Sequence, residues 1–357
     1  MTHTLALLVF NLLFMAAFVA LVVKGLRRSR DNRRAASRVE QAQSTSEVYA
    51  RYRETLEEQQ TSQALQADLN ALERERRALN AGVRRTAVAG GLATLVAAAI
   101  VALLLPGNFF FVLMLGGAIT FWRCFSHTRK LRMRAKETLM SRLCDDLGLH
   151  YVQEVGPESV DSFKRLGLLP NFSKAHCSDR IHGRTADGHA LEILDAQLTV
   201  SSKDSDSVVF SGLLIHVASE SRIKEQVLIK KRRGIRSLNP FQSDQAVVLE
   251  SDEFTAIYDV YAEDQIAARR LLTPAIMQKC VELDEKTGGT PQIAFMGGDV
   301  YIAIDRGMQS FEVPSISQPW TDEIFERAFS DLAFAVEAAG VFDHELQPVL
   351  GGEPIAT

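Results

Sequence analysis

Residues 87–122 read AVAGGLATLVAAAIVALLLPGNFFFVLMLGGAITFW, and the fold class turns on them. Ala87 to Leu105 is an unbroken apolar run with Thr94 as its only polar side chain, and at about 1.5 Å rise per residue it reaches about 29 Å, one hydrocarbon thickness. Pro106, Gly107 and Asn108 interrupt it, and Phe109 to Trp122 resumes with a shorter run. The interrupting turn is uncharged, whereas RCFSHTRKLRMRAK follows Trp122, so the spacing predicts a tight transmembrane hairpin over 87–125. Upstream, Leu5 to Val23 forms another span-length run with Asn11 as its one strongly polar member. No Lys or Arg precedes that run and KGLRRSRDNRR follows it, the pattern of an uncleaved anchor over residues 1–23 rather than a cleaved signal.

Charge is divided along the chain as sharply as hydropathy. The whole carries −4, made of +6 in residues 1–128 and −10 in residues 129–357. The acidic balance of the second part argues against a nucleic-acid partner. Lys24 to Arg38, Arg84 with Arg85, and Arg123 to Lys136 make three basic flanks, and retained basic residues mark cytoplasmic loops. All three are satisfied together when the N-terminus and the Pro106–Asn108 turn lie outside and the remainder faces the cytoplasm. The expectation is a multi-pass protein of a bacterial inner membrane with a cytoplasmic C-terminal domain.

Residues 24–86 read as a basic flank and then a helical connector, free of Pro and rich in Glu, Gln, Ala, Leu and Arg. Leu65, Leu69, Leu72, Leu79 and Val83 keep helical spacing with Arg76 as the polar interruption; Tyr49, Tyr52 and Leu56 keep it upstream, and the register slips across residues 59–63. Such a stripe suits a coiled-coil partner in the same chain or in another. The small residues of AVAGGLATLVAAA and of Leu115 to Ala118 serve either hairpin packing or a homo-oligomer contact.

After an amphipathic helix near Arg134 to Leu149, the pattern turns to strands: Asp179–Thr185 and His189–Leu194 around Asp187-Gly188, then Val208–Ala218, Gln226–Lys231, Ala246–Glu250 and Phe254–Tyr261. One or two helices follow over 263–286, with Pro274 suited to a first turn and Gly288-Gly289 as the stop. Gln292–Phe295 and Val300–Ile304 flank a Gly-Gly-Asp hairpin turn, and Thr321 opens a helix to about Ala339 whose buried face is Phe325, Ala328, Phe329, Leu332 and Val336, with Ile324 and Phe334 off it. This order is α+β: an antiparallel-sheet domain over 129–345 with flanking helices, and a flexible tail over 346–357.

LLPNF at 168–172, FSGLLI at 210–215, DEFTAIYDVYAEDQIAARRLLTPAIMQKCVEL at 252–283 and YIAI at 301–304 resemble the bacterial membrane-protein family known as Domain of Unknown Function 3137, over roughly residues 130–340. The resemblance supports the architecture and implies no catalytic residue.

Three features were candidates for chemistry. His176, Cys177, His182 and His189 sit close in sequence and are zinc-compatible types, the basis of an alternative reading as a membrane-anchored metal-dependent hydrolase, although their spacing matches no established site. Cys144, Cys177 and Cys280 could each be a nucleophile only beside a positioned base, and Cys144 and Cys280 hold helical spacing with apolar neighbours that suits packing. Lys230, Lys231, Arg232, Arg233 and Arg236 concentrate five positive charges in an acidic domain, and near an anionic leaflet each is worth about 1 kcal/mol. The reading is a non-enzymatic binding or scaffold module for a protein partner or membrane lipids, without a cofactor.

Overall fold

The computed structural model describes residues 63–104, 109–185, 188–202, 205–218, 226–232, 246–287, 290–312 and 322–342. The anchor at 1–23, the connector before residue 63, the Pro106–Asn108 turn, Arg233, Arg236, Gly288-Gly289 and the tail at 346–357 lie outside the described residues.

Two long helices open the structure. The connector and the first run of the hairpin are one helix, α1 (Gln63–Leu104), and the second run continues without a break through the amphipathic segment as α2 (Phe109–Asp146). The separate helix expected from Arg134 is therefore the C-terminal half of α2. No Pro or Gly stands between Trp122 and Asp146 to stop propagation. The connector finds its partner within the chain: Leu72 and Leu79 pack against the main core, Arg134 lies 4.0 Å from Glu75, and the Cys124 thiol donates to the Val83 carbonyl. Arg76, the interruption in the leucine stripe, is buried and tied to Glu73 by two bonds of 2.7 Å.

Among the described residues nine strands make one antiparallel sheet in the order β1-β2-β3-β4-β9-β8-β5-β7-β6. The first four, β1 (His150–Val155), β2 (Lys174–Arg184), β3 (Ala190–Ser201) and β4 (Asp206–Ala218), form a meander. Between β1 and β2 come a 3-10 turn (Pro157–Val160) and the short helix α3 (Asp161–Arg165). Next come β5 (Val227–Lys231), β6 (Ala246–Val247), α4 (Asp252–Ile257), β7 (Tyr258–Ala262), α5 (Gln265–Leu271) and α6 (Pro274–Thr287). The hairpin of β8 (Thr290–Met296) and β9 (Asp299–Asp305) then inserts between β4 and β5, and α7 (Asp322–Gly340) closes the domain.

The antiparallel α+β expectation holds, with local corrections. Phe254 to Ile257 is helix rather than strand, because the Ser251 hydroxyl accepts from the Phe254 N–H and caps α4. Pro274 does start a second helix, and Asp264 caps the first by accepting from Ile266 and Ala267. Phe334 is buried rather than off the core face: Ala333, Phe334, Ala335 and Leu332 are all enclosed, and the Arg306 guanidinium covers the Phe334 ring. Over residues 328–339 the helix is walled on several sides, with Ser330, Val336 and Glu337 half-buried, so the stripe is wider than helical spacing alone reveals.

The main core lies between one sheet face and α2, α4 to α7, with Met140, Ile193, Ile215, Ile229, Phe254 and Ile302 at its centre. A smaller core under residues 157–172 covers part of the other face, around Phe163, Leu194 and Leu214.

Candidate functional site

The largest concentration of buried charge sits where α2 crosses β1 and β2. On β2, Cys177 opposes Ala196 and Asp179 opposes Asp195, so Ser178 is an extra residue and the strand is bulged. Strict alternation would put residues 177 and 179 on one face. The bulge instead sends Cys177 into the smaller core and Asp179 toward α2, beside its cross-strand neighbour Asp195. Both aspartates are fully buried. Lys136 descends from α2 and donates to Asp179 Oδ2 at 2.7 Å, with Glu312 at 3.4 Å. Tyr151 of β1 donates to Asp179 Oδ1. The Ser178 hydroxyl lies 2.7 Å from Asp179 Oδ2 and 2.9 Å from Asp195 Oδ2; one hydroxyl proton serves one of these, so the other contact requires a proton on a carboxyl.

Electrostatics assign that proton to Asp195. Burial above all, and then the Asp179 charge, push its carboxyl well above the usual range against the opposing pull of Lys136, the Ser310 N–H and Ser178. Asp195 Oδ1 is buried without a hydrogen-bond partner, a vacancy costlier for an ionised carboxylate than for a neutral acid. Burial pulls Lys136 down, but the charges of Asp179 and Glu312 and the bond to Asp179 outweigh it, and the ammonium is held above its ordinary value.

The loop after β9 forms the far wall. Ser310 donates its N–H to Asp195 Oδ2 at 3.1 Å, Arg306 donates to Ser310 Oγ at 2.6 Å and to Asp331 of α7 at 2.9 Å, and the Phe311 N–H also reaches Asp331. Above this floor opens a cavity of about 270 Å³, whose rim carries Arg129, Arg132, Glu154, His176, Gln309 and Glu312. Thr128, at its mouth, stands six residues past Trp122, about 9 Å along the helix.

The zinc-compatible stretch does not assemble. His176 faces the cavity and Cys177 the opposite core, while His182 packs against His150 with ring centroids 5.5 Å apart. Two cross-strand pairs, Gly183–Leu191 and Arg184–Ala190, separate His182 from the turn that holds His189. Among the described residues no cluster of three His, Cys, Asp or Glu could hold a metal. Cys144, Cys177 and Cys280 are buried; burial pushes the first thiol up to about 12, the second up to about 11, and raises the third as well, the opposite of nucleophile activation. Of the basic block, Lys231 pairs with Asp284 at 2.5 Å and Arg232 with Asp259 through two bonds of 2.9 and 3.0 Å. Sequence reasoning missed Lys136, Asp179 and Asp195 altogether; its available signal was an aspartate between Leu194 and Ala196 in a strand of apolar residues.

Among the described residues one helix, over Asn70–Leu104 in the hairpin, is long and apolar enough to cross a membrane, and 6% of its most apolar window is buried. Two of the hairpin's glycines pack within the chain, while Gly91 and Gly117 meet nothing within 4 Å. An added Cβ at Gly90 would meet Thr120 at 2.6 Å, and one at Gly116 would meet Thr94 at 2.5 Å.

No curated protein matches this chain. The crystal structure of the mycobacterial trehalose monomycolate transport factor A, TtfA, is similar at 12% identity over 62% of this chain and 99% of that one, with a TM-score of 0.32, a level that carries no argument. LLPNF at 168–172, part of the resemblance, lies outside the matched residues. Residues 208–343, from β4 through α7, match the family described as "Protein of unknown function (DUF3137)", the family that the sequence resembles.

Proposed function

We propose that the chain is a membrane-anchored binding module: the anchor and the hairpin cross a bacterial inner membrane three times, and the domain over 129–345 works at the cytoplasmic leaflet on a protein partner or on the headgroup layer. The carrying observation is the continuity of α2. A single helix bears Phe111, Phe121 and Trp122, all about 70% exposed as lipid-facing side chains are, and fourteen residues past Trp122 places Lys136 in the buried charge cluster. Arg85 and Arg123 lie together on one groove at the end of the apolar segment, where a cytoplasmic interface would fall. A binding rather than catalytic role is supported by ion pairs and polar side chains lining the cavity, with thiols raised rather than activated. The leaflet reading draws on Lys230, Lys231, Arg232, Arg233 and Arg236, and the carboxylates beside Lys231 and Arg232 reduce what those two contribute.

The test is topology. A reporter fused after Thr357 that works only in the cytoplasm is expected to be active, and a periplasm-dependent reporter at the same place silent. The reverse pattern overturns the orientation and with it the choice of partners.

A further inference from the structure

The cavity's rim charges come as complementary pairs rather than as a patch of one sign. Arg129 and Arg132 rise from one face of α2, three residues apart, and each meets a carboxylate from a different wall: Glu154 of β1 at 3.3 Å and Glu312 of the loop after β9 at 3.0 Å. These four side chains are between 42% and 63% exposed, so neither pair is strong and both exchange partners readily. The floor is different in kind: Lys136 is 7% exposed and fixed on a fully buried Asp179.

This arrangement selects among ligands by charge balance. A simple anion taken by Arg129 strips Glu154 and sets it beside new negative charge, and one taken by Arg132 leaves Glu312 its longer 3.4 Å contact with Lys136. A simple cation taken by Glu154 or Glu312 strips an arginine in the same way. A zwitterion with phosphate and ammonium groups a few ångströms apart replaces both partners at once and leaves every charge paired. Gln309 and Ser178 add polar contacts on the lining, and a volume of about 270 Å³ falls just under the ~300 Å³ at which drug-sized sites begin, which suits a headgroup rather than a whole lipid.

The backbone is irregular where this site needs it. Among the described residues two non-glycine residues have positive φ: Glu154 at 56° and Phe311, the residue before Glu312, at 58°. That left-handed conformation is uncommon outside glycine and concentrates at ligand-clamping sites. Both carboxylate-bearing walls carry it, and the Ser178 bulge is a third irregularity on the same cavity.

We propose that this cavity binds an aminophosphate zwitterion of the phosphoethanolamine class, its phosphate on Arg129 and Arg132 and its ammonium on Glu154 and Glu312. An aminophospholipid headgroup and a water-soluble ester carry the same chemistry. The inference deepens the membrane-anchored reading and rests on it only for the lipid source.

Full-length protein in a nonionic maltoside detergent is titrated calorimetrically with glycerophosphoethanolamine, glycerol 3-phosphate and ethanolamine. The zwitterion is expected to bind one to one, and each half-ligand at least tenfold more weakly. Arg129→Gln, Arg132→Gln, Glu154→Gln and Glu312→Gln are each expected to weaken it at least tenfold; the Arg129 and Glu154 variants, at the most exposed pair, keep the wild-type melting temperature. Glycerol 3-phosphate binding as tightly as the zwitterion, or affinity unchanged in the Arg129 and Glu154 variants, overturns the proposal. Moving the protein to phosphatidylethanolamine nanodiscs lowers apparent affinity for the soluble probe relative to phosphatidylglycerol nanodiscs if the lipid headgroup is the natural occupant; equal affinity assigns the soluble ester. The probe reaches both sides of a micelle, so this titration stands or falls separately from the reporter fusion.

Discussion

Asp179 and Asp195 face each other across two antiparallel strands, and the ammonium of Lys136 beside them bonds to Asp179 and Glu312 but not to Asp195. The second carboxyl is accommodated by holding its proton, with burial the larger cause and the Asp179 charge the next. The sign of the pH dependence follows. An acid raised in the folded state keeps its proton where the unfolded chain, with an ordinary value of 3.8, has released it. Its stability contribution is therefore complete below about pH 4 and is lost as pH rises through the folded value. In Asp195→Asn one atom replaces Oδ2, so the amide oxygen placed there keeps the acceptor for the Ser310 N–H, gives up the proton to Ser178 and removes the titration. The variant is expected to melt below the wild type near pH 4 by the lost bond and to gain on it steadily toward pH 8, by about 2–4 °C for each kcal/mol recovered in a domain of this size. Parallel melting curves across that range would show that Asp195 is ionised in the fold. Apart from Asp195 standing between Leu194 and Ala196, nothing local marks these residues in the sequence. The pairing depends on a bulge that alternation does not reveal and on a lysine 43 positions from its partner.

At the scale of elements, the hairpin shows how few side chains set a helix crossing. Gly90 of α1 faces Thr120 of α2, and Gly116 faces Thr94 in return, while both threonines donate to the carbonyl four residues back, at 2.7 and 2.8 Å. Each threonine thus satisfies its own hydroxyl and sets both hydroxyl oxygen and methyl against the opposite glycine, a close approach of the small-residue type. Gly90→Leu and Gly116→Leu are each expected to separate the helices, read as loss of disulfide crosslinking between cysteines placed at Val83 and in the native position Cys124. Gly91→Leu, where nothing lies within 4 Å, is expected to crosslink as the wild type does. Equal crosslinking in all three variants would place the helix contact elsewhere. The small-residue pattern was legible in the sequence, as were the strands with β-branched alternation, the Pro274 helix start and the β8–β9 hairpin. Two kinds of element were not. β1 (HYVQEV) alternates too briefly to stand out from the end of α2, and its pairing to β2 is long-range in origin. In α4 the Ser251 cap outweighed the β-propensity of Phe254 and Ile257, a competition that composition alone does not settle.

The whole molecule is organised by two unbroken rods that run side by side from the apolar hairpin to the sheet. α1 spans 42 residues and α2 38, about 63 Å and 57 Å, and the level at which Cys124 meets Val83 is crossed by both. Buried packing fastens α2 to the domain through Leu131, Met140 and Leu143, and Leu72 and Leu79 fasten α1 to the same core. A break in one rod is therefore splinted by the other. Ser126→Pro in α2 and Gly82→Pro in α1 each remove a helical hydrogen bond, a loss of about 3 kcal/mol locally, and each alone is expected to leave the orientation of hairpin and sheet intact. The double variant has a hinge in both rods at nearly one level. Nitroxides at Leu92, in the apolar segment, and Val208, on an exposed part of β4, read this directly after Cys124→Ser; Cys144, Cys177 and Cys280 are buried and stay unlabelled. A single narrow distance is expected in the parent and in either proline variant, and a broad distribution in the double variant. A broad distribution already in the parent would mean that the rods do not hold the domain at a fixed angle, and that an event in the bilayer has no stiff route to the charged cavity beneath α2.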